Sequence, residues 1–130
     1  MPALTIKARR QKGKDLENWV VDQLKAFNLD EHAKRSYGSG NGNGCKADID
    51  TKTMMLGQAL GVECKHMDKI NVPKAWRQTK KLESLGYEPV LVIKQTADNY
   101  GDTKAVIYLD SLLQLLVLAS WNKGKVKKII

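Results

Sequence analysis

Pro89-Val90-Leu91-Val92-Ile93-Lys94 is the stretch that most restricts what this chain can fold into. Side chains along a strand point alternately to its two faces, so an unbroken apolar run predicts a strand covered on both sides. The cover has to come from helices, and the rest of the chain offers three. Residues 15–28 place Leu16, Val20, Leu24 and Phe27 on one apolar stripe, widened by Trp19 and Val21. Asn71-Val72-Pro73 opens a second helix, proline being tolerated in a first turn, and it is expected to run to Leu85 with Gly86 as its stop. Val72, Ala75, Trp76, Thr79 and Leu82 form its packed face. Asp110-Ser111 caps a third helix, whose Leu112, Leu113, Leu115, Leu116, Val117 and Leu118 make it apolar almost all round. Other strands are predicted within 32–37, 46–53 and 58–66, with a turn at 54–57 joining the last two, and over 104–109. This order predicts an α/β fold, a mixed central sheet flanked by helices.

At 130 residues the chain is expected to form one domain with a sizeable core. A net charge of +8 and a pI near 9.5 favour a polyanionic partner, nucleic acid above all. Residues 1–11, with Lys7, Arg9 and Arg10, read as a basic arm; residues 122–130, with Lys123, Lys125, Lys127 and Lys128, read as a basic tail able to reach phosphates. Cys45 and Cys64 fit no metal spacing and no disulfide framework. The start of the sequence has no apolar signal-peptide core, and the apolar stretch 112–119 is too short for a bilayer. A cytoplasmic protein without membrane association is the expectation. The third helix is too apolar for one sheet to cover, which predicts a homodimer interface.

The chemistry sits on two short strands. In Lys46-Ala47-Asp48-Ile49-Asp50 both aspartates point one way; in Gly61-Val62-Glu63-Cys64-Lys65-His66 the glutamate and lysine share a face. Paired side by side, these strands bring carboxylates and an ammonium to one patch of sheet. Two carboxylates suit a hard cation such as Mg²⁺, and a nearby ammonium can orient water or offset charge on a phosphate. The choice between Asp48 and Asp50 as metal ligand stays open. His66 falls on the opposite face and reads as structural. Glu17 lies in the first helix beside the apolar stripe, where the helix dipole also favours a carboxylate. Gly38-Ser39-Gly40-Asn41-Gly42-Asn43-Gly44 is longer than a hairpin needs and can approach a phosphate closely, as a DNA-contacting or lid-like loop. On the second helix, Lys74, Arg77, Gln78 and Lys81 form a stripe with three cations and no acid.

Asp48 followed by Glu63-x-Lys65 resembles the core of the PD-(D/E)xK nuclease superfamily. Lys12-Gly13-Lys14-Asp15-Leu16-Glu17 and Arg35-Ser36-Tyr37-Gly38-Ser39-Gly40 are similar to archaeal-type Holliday junction resolvases, the likeness covering roughly residues 10–95. Asn18 stands where many members carry arginine, and Ala47 where the motif has proline. The resemblance implies a restriction-endonuclease-like αβββαβ core and Mg²⁺-dependent cleavage of branched or duplex DNA, with Mn²⁺ as a substitute. It makes Glu17, Asp48, Glu63 and Lys65 catalytic, the three acids metal-holding, and Arg35 and Ser39 phosphate ligands. It also matches Gln78 to a helix glutamine of many such nucleases. A restriction-like or repair nuclease, or a basic DNA-binding module without catalysis, would share many of these features.

Overall fold

The computed structural model describes residues 5–36 and 47–121. Helix α1 spans Ile6–Ala26 and opens at Thr5, whose hydroxyl accepts the Ala8 N–H at 3.1 Å. The expectation of an irregular basic arm is therefore corrected from residue 6 onward. Lys, Arg, Gln and Ala are strong helix formers, Thr5 supplies the cap, and Gln11 donates to Asp15 one turn on at 2.8 Å. Leu16, Val20, Val21 and Leu24 are buried against the sheet, while Phe27 lies past the helix end and is exposed.

Strand β1 (Lys34–Arg35) pairs antiparallel with β2 (Ile49–Asp50). The main sheet has the order β3 (Met54–Met55), β4 (Gln58–Met67), β5 (Tyr87–Gln95), β6 (Lys104–Val106). Leu56 and Gly57, both at positive φ, make the tight β3–β4 turn whose twist suits a hairpin. β4 and β5 are parallel from Ala59↔Tyr87 to Met67↔Gln95, and β6 returns antiparallel to β5. The parallel pair is joined by helix α2 (Val72–Thr79), which tightens into a 3₁₀ segment at Lys80–Leu85 instead of continuing as α-helix. Thr79 is fully buried and its hydroxyl donates to the Ala75 carbonyl at 2.8 Å, a back-bond that commonly bends a helix. Gly86, at φ 89°, ends the segment. The fold is thus α/β, a mixed sheet with α1 on one face and the α2 crossover on the other.

Register sorts the sheet's side chains. Val62, Cys64 and Val92 join the core under α1, and the alternate positions Gly61, Glu63 and Lys65 face the crossover. A Cβ at Gly61 would lie 2.7 Å from the Tyr87 Cβ and 3.0 Å from the Leu82 Cδ1. Gly61→Ala is therefore expected to lower stability by about 1–3 kcal/mol through overpacking. Urea unfolding checks this; an unchanged midpoint would mean that the crossover shifts aside freely.

At the end of β5, Lys94 is 4 % exposed, and its ammonium lies 4.6 Å from the centre of the Tyr100 ring. The His66 Nδ1 lies 2.8 Å from the Lys12 carbonyl, which can only accept, so Nδ1 carries the proton. Nε2 is then a lone-pair acceptor for the Lys94 ammonium, 3.5 Å away. With Lys12 donating to Thr96 at 2.9 Å, this network ties α1 to the sheet end and gives His66 a structural role.

Helix α3 spans Leu109–Ser120. Tyr108 holds its N-cap position without a side-chain cap, so Asp110 and Ser111 are first-turn residues and not the cap. Ser111 is buried and donates to Glu88. Leu109, Leu112, Leu113, Leu116, Val117 and Leu118 are each 42–68 % exposed, an open apolar surface. Among the described residues no helix is long and apolar enough to cross a membrane.

Candidate active site

Asp48 lies in a bend just before β2, at the free edge of β4. Its N–H donates to the Val62 carbonyl at 2.9 Å, and its carbonyl accepts the Ser36 N–H at 3.0 Å. One ladder position further on, the side chain takes over from the backbone: Asp48 Oδ2 accepts the Cys64 N–H at 2.8 Å. The carboxylate is thereby fixed at the strand edge, next to Glu63. The main chain of 48–53 follows that edge and rejoins it where the Leu60 N–H donates to the Thr53 carbonyl at 3.0 Å. Between these points Thr51 turns aside to donate to Asp30 Oδ2 at 2.7 Å.

Glu63 is the acid most affected by its surroundings. Burial pushes its pKa up to about 8, helped by the Asp48 charge and a side-chain hydrogen bond with Asp48; Lys65 pulls the other way, and Glu17 adds a smaller upward push. Glu17 reaches the same neighbourhood from α1. Its pKa is also raised, mainly by burial, against the hydrogen bond from Arg35, with the Asp48 charge adding to the rise. Arg35 Nε donates to Glu17 Oε1 at 2.9 Å. The guanidinium beside the helix glutamate thus comes from β1, while the next residue in sequence is Asn18.

The structure brings Glu17, Asp48, Glu63 and Lys65 into one electrostatic neighbourhood. Among the described residues no three His, Cys, Asp or Glu side chains close on a single point; Asp48 is the acid that acts most strongly on Glu63. Asp50 does not join them. It faces Lys34 across β1–β2, with Nζ 4.0 Å from its carboxylate, in a separate shallow cavity with Asp30 and His32. Strand alternation alone put the two aspartates on one patch; the bend at Asp48 takes that residue out of the ladder and separates them. Lys74, Arg77 and Gln78 are exposed on α2 and Lys81 on the 3₁₀ segment that follows, and Lys74 and Gln78 border a cavity shared with Lys65. Ser39 and the rest of the glycine-rich loop lie outside the described residues.

Two contributions escaped the sequence reading. One is the Cys64 amide, since no residue type reports which backbone N–H lies unpaired at a strand edge. The other is Arg35 as partner of Glu17; a lone arginine beside a short strand was the available signal, but not the pairing. The chain matches none of the protein families, curated proteins or solved structures compared with it.

Chemically, the pair presents only oxygen donors, with an ammonium alongside and a guanidinium behind. Such a set suits hard divalent cations. Cys64, the one cysteine among the described residues, is buried and its pKa is pushed well up, chiefly by burial.

Proposed function

We propose that this protein is a metal-dependent endonuclease acting on branched DNA, of the Holliday junction resolvase kind, and that it works as a homodimer. The observation that carries the reading is the Asp48–Glu63 pair: Asp48 pinned at the strand edge by the Cys64 N–H, beside Glu63, with Lys65 one step along the same face. Like-charged groups in this arrangement suit a divalent cation. Asp48 and Glu63 would hold Mg²⁺, or Mn²⁺ in its stead, and Glu17 would assist through a water. When bound, the ion would acidify a water and neutralise charge on the scissile phosphate. Lys65 orients the attacking water and offsets negative charge developing on the phosphoryl oxygens. Arg35 holds Glu17 at the position from which it can accept a hydrogen bond. The acid-free stripe of Lys74, Arg77 and Lys81 binds backbone phosphates and steers DNA to the site, as the charge of +8 favours.

Two symmetric cuts across a four-way junction need two sites, and the open apolar surface of α3 supplies a face for a second copy. The decisive experiment incubates the protein with labelled four-way, flap and linear DNA, with Mg²⁺ or with EDTA. Paired nicks in the four-way substrate, dependent on the cation, are expected; binding without any product would leave a DNA-binding module, and equal cutting of linear duplex a general nuclease. A solution mass of one chain at micromolar concentration would remove the dimer. Asp48→Asn is expected to lower cleavage by about a hundredfold or more, as loss of a group stabilising transition-state charge does. Asp50→Asn should leave it nearly unchanged, and the reverse order would move the metal site to Asp50.

A further inference from the structure

A cavity of about 280 Å³ opens between the end of β4 and the start of α2, directly beside Lys65. Its wall combines Lys65, Lys69 and Lys74 with the apolar side chains of Met67 and Ile70, and Gln78 stands at the α2 side. The charge is one-sided. From Lys65 to Lys81 the only acid is Asp68, and that carboxylate is engaged with Lys12, 3.8 Å from its ammonium, and with Thr96. Among the described residues no carboxylate lies within ion-pair distance of Lys69 or Lys74, both of which are exposed. The apolar part is open too: Met67 is 43 % exposed and Ile70 is partly so.

A backbone phosphate by itself needs only the lysines. It would leave Met67 and Ile70 facing water and much of the volume unfilled. An apolar ligand would leave the ammonium groups uncompensated. The volume is at the small end of ligand clefts, about 300 Å³ and upward, which suits a unit carrying one anion and one flat, weakly polar ring. Resting on the nuclease reading above, we propose that this cavity receives a single unstacked nucleotide of the bound strand. Its phosphate lies on Lys69 and Lys74, its base lies against Met67 and Ile70, and the neighbouring phosphate is thereby delivered to Lys65. Gln78 offers a donor and an acceptor for the base edge. A nucleotide must leave its stack to enter, which is easiest where pairing is already interrupted. The cavity therefore selects DNA with a branch point, flap or bulge over continuous duplex, and it does so before any bond is cut.

The test uses the full-length protein in EDTA, where no cleavage occurs, and DNA carrying 2-aminopurine at a branch point, in a flap or within uninterrupted duplex. This base brightens when it leaves its stack. A several-fold rise is expected with branch and flap labels and none with duplex. Ile70→Ser should abolish the rise and weaken binding, read by anisotropy, by no more than several-fold, since the phosphate contacts remain. Lys69→Ala and Lys74→Ala should each reduce the dependence of log affinity on log salt by about one. No rise with any substrate, or a rise that Ile70→Ser leaves intact, overturns the proposal. The two readings fail separately: brightening without Mg²⁺-dependent cleavage would retire the nuclease and keep the cavity, and cleavage without brightening would do the opposite.

Discussion

Glu63→Gln and Lys65→Ala should each reduce Mg²⁺-dependent cleavage of four-way DNA by at least about a hundred- to a thousand-fold, the usual loss when one group stabilising transition-state charge is removed. Glu63→Gln is the cleaner of the two. Glu63, its pKa raised to about 8, is mostly protonated at neutral pH in the metal-free protein, and an amide has nearly the shape of a protonated carboxyl. The amide can still donate to Asp48, so the fold should be kept while the anionic ligand is lost. Lys65 is partly exposed and close enough to Glu63 to oppose the rise in its pKa, so its removal takes away a charge and little packing. DNA affinity should stay within a few-fold for both variants, because most of the phosphate contacts lie elsewhere, on Lys69, Lys74, Arg77 and Lys81. Single-turnover rates with saturating protein separate the two effects. Undiminished turnover in either variant would end the catalytic assignment.

A proton should leave the site when Mg²⁺ enters it. Glu63 has its pKa raised from 4.5 to about 8, and Glu17 is shifted in the same direction. A raised carboxyl pKa means that the folded, metal-free protein holds the proton more tightly than the unfolded chain does. The stabilising contribution of Glu63 is thus fully present below about pH 4.5 and is lost as pH rises through about 8. Adding Mg²⁺ at pH 7 favours the carboxylate instead, with release of close to one proton, and apparent affinity should climb by about tenfold per pH unit below pH 8. Calorimetry in buffers of different ionisation enthalpy counts the proton directly. A heat independent of buffer at pH 7 would show that Glu63 takes no part in holding the cation. In thermal melts, the metal-free protein should lose stability from pH 5 to pH 8 and recover part of it with Mg²⁺, a gain that Glu63→Gln should forfeit.

The layer order and the two long strands were legible because they depend on local pattern. The expected strand 46–53 is only Ile49–Asp50 and pairs with β1, and Met54–Met55, read as turn, is the strand beside β4. The apolar run 89–93 is a strand inside the sheet, Gly86 ends the crossover at positive φ, and Asn71-Val72-Pro73 starts α2, with Asn71 accepting the Lys74 N–H at 3.1 Å. The errors fell where local pattern is weak. The first helix starts nine residues earlier than the expected start at Asp15, because exposed Lys, Arg and Gln carry helix propensity without periodicity. The second changes to 3₁₀ geometry at Lys80, beyond the buried Thr79, a change that no spacing announces.

Residue order by itself determined that Glu63 and Lys65 share a face and that Cys64 and His66 lie on the other, since alternation along an extended chain is a property of covalent geometry. It also determined the excess of positive charge and the apolar character of α3. Only the folded chain decided that Asp48 and not Asp50 stands beside Glu63, that Arg35 holds Glu17, and that three lysines and two apolar side chains enclose one cavity. Those pairings join residues many positions apart, through a bend at a strand edge and a crossover between parallel strands. Distance in space there is set by the packing of whole elements, which no local spacing contains.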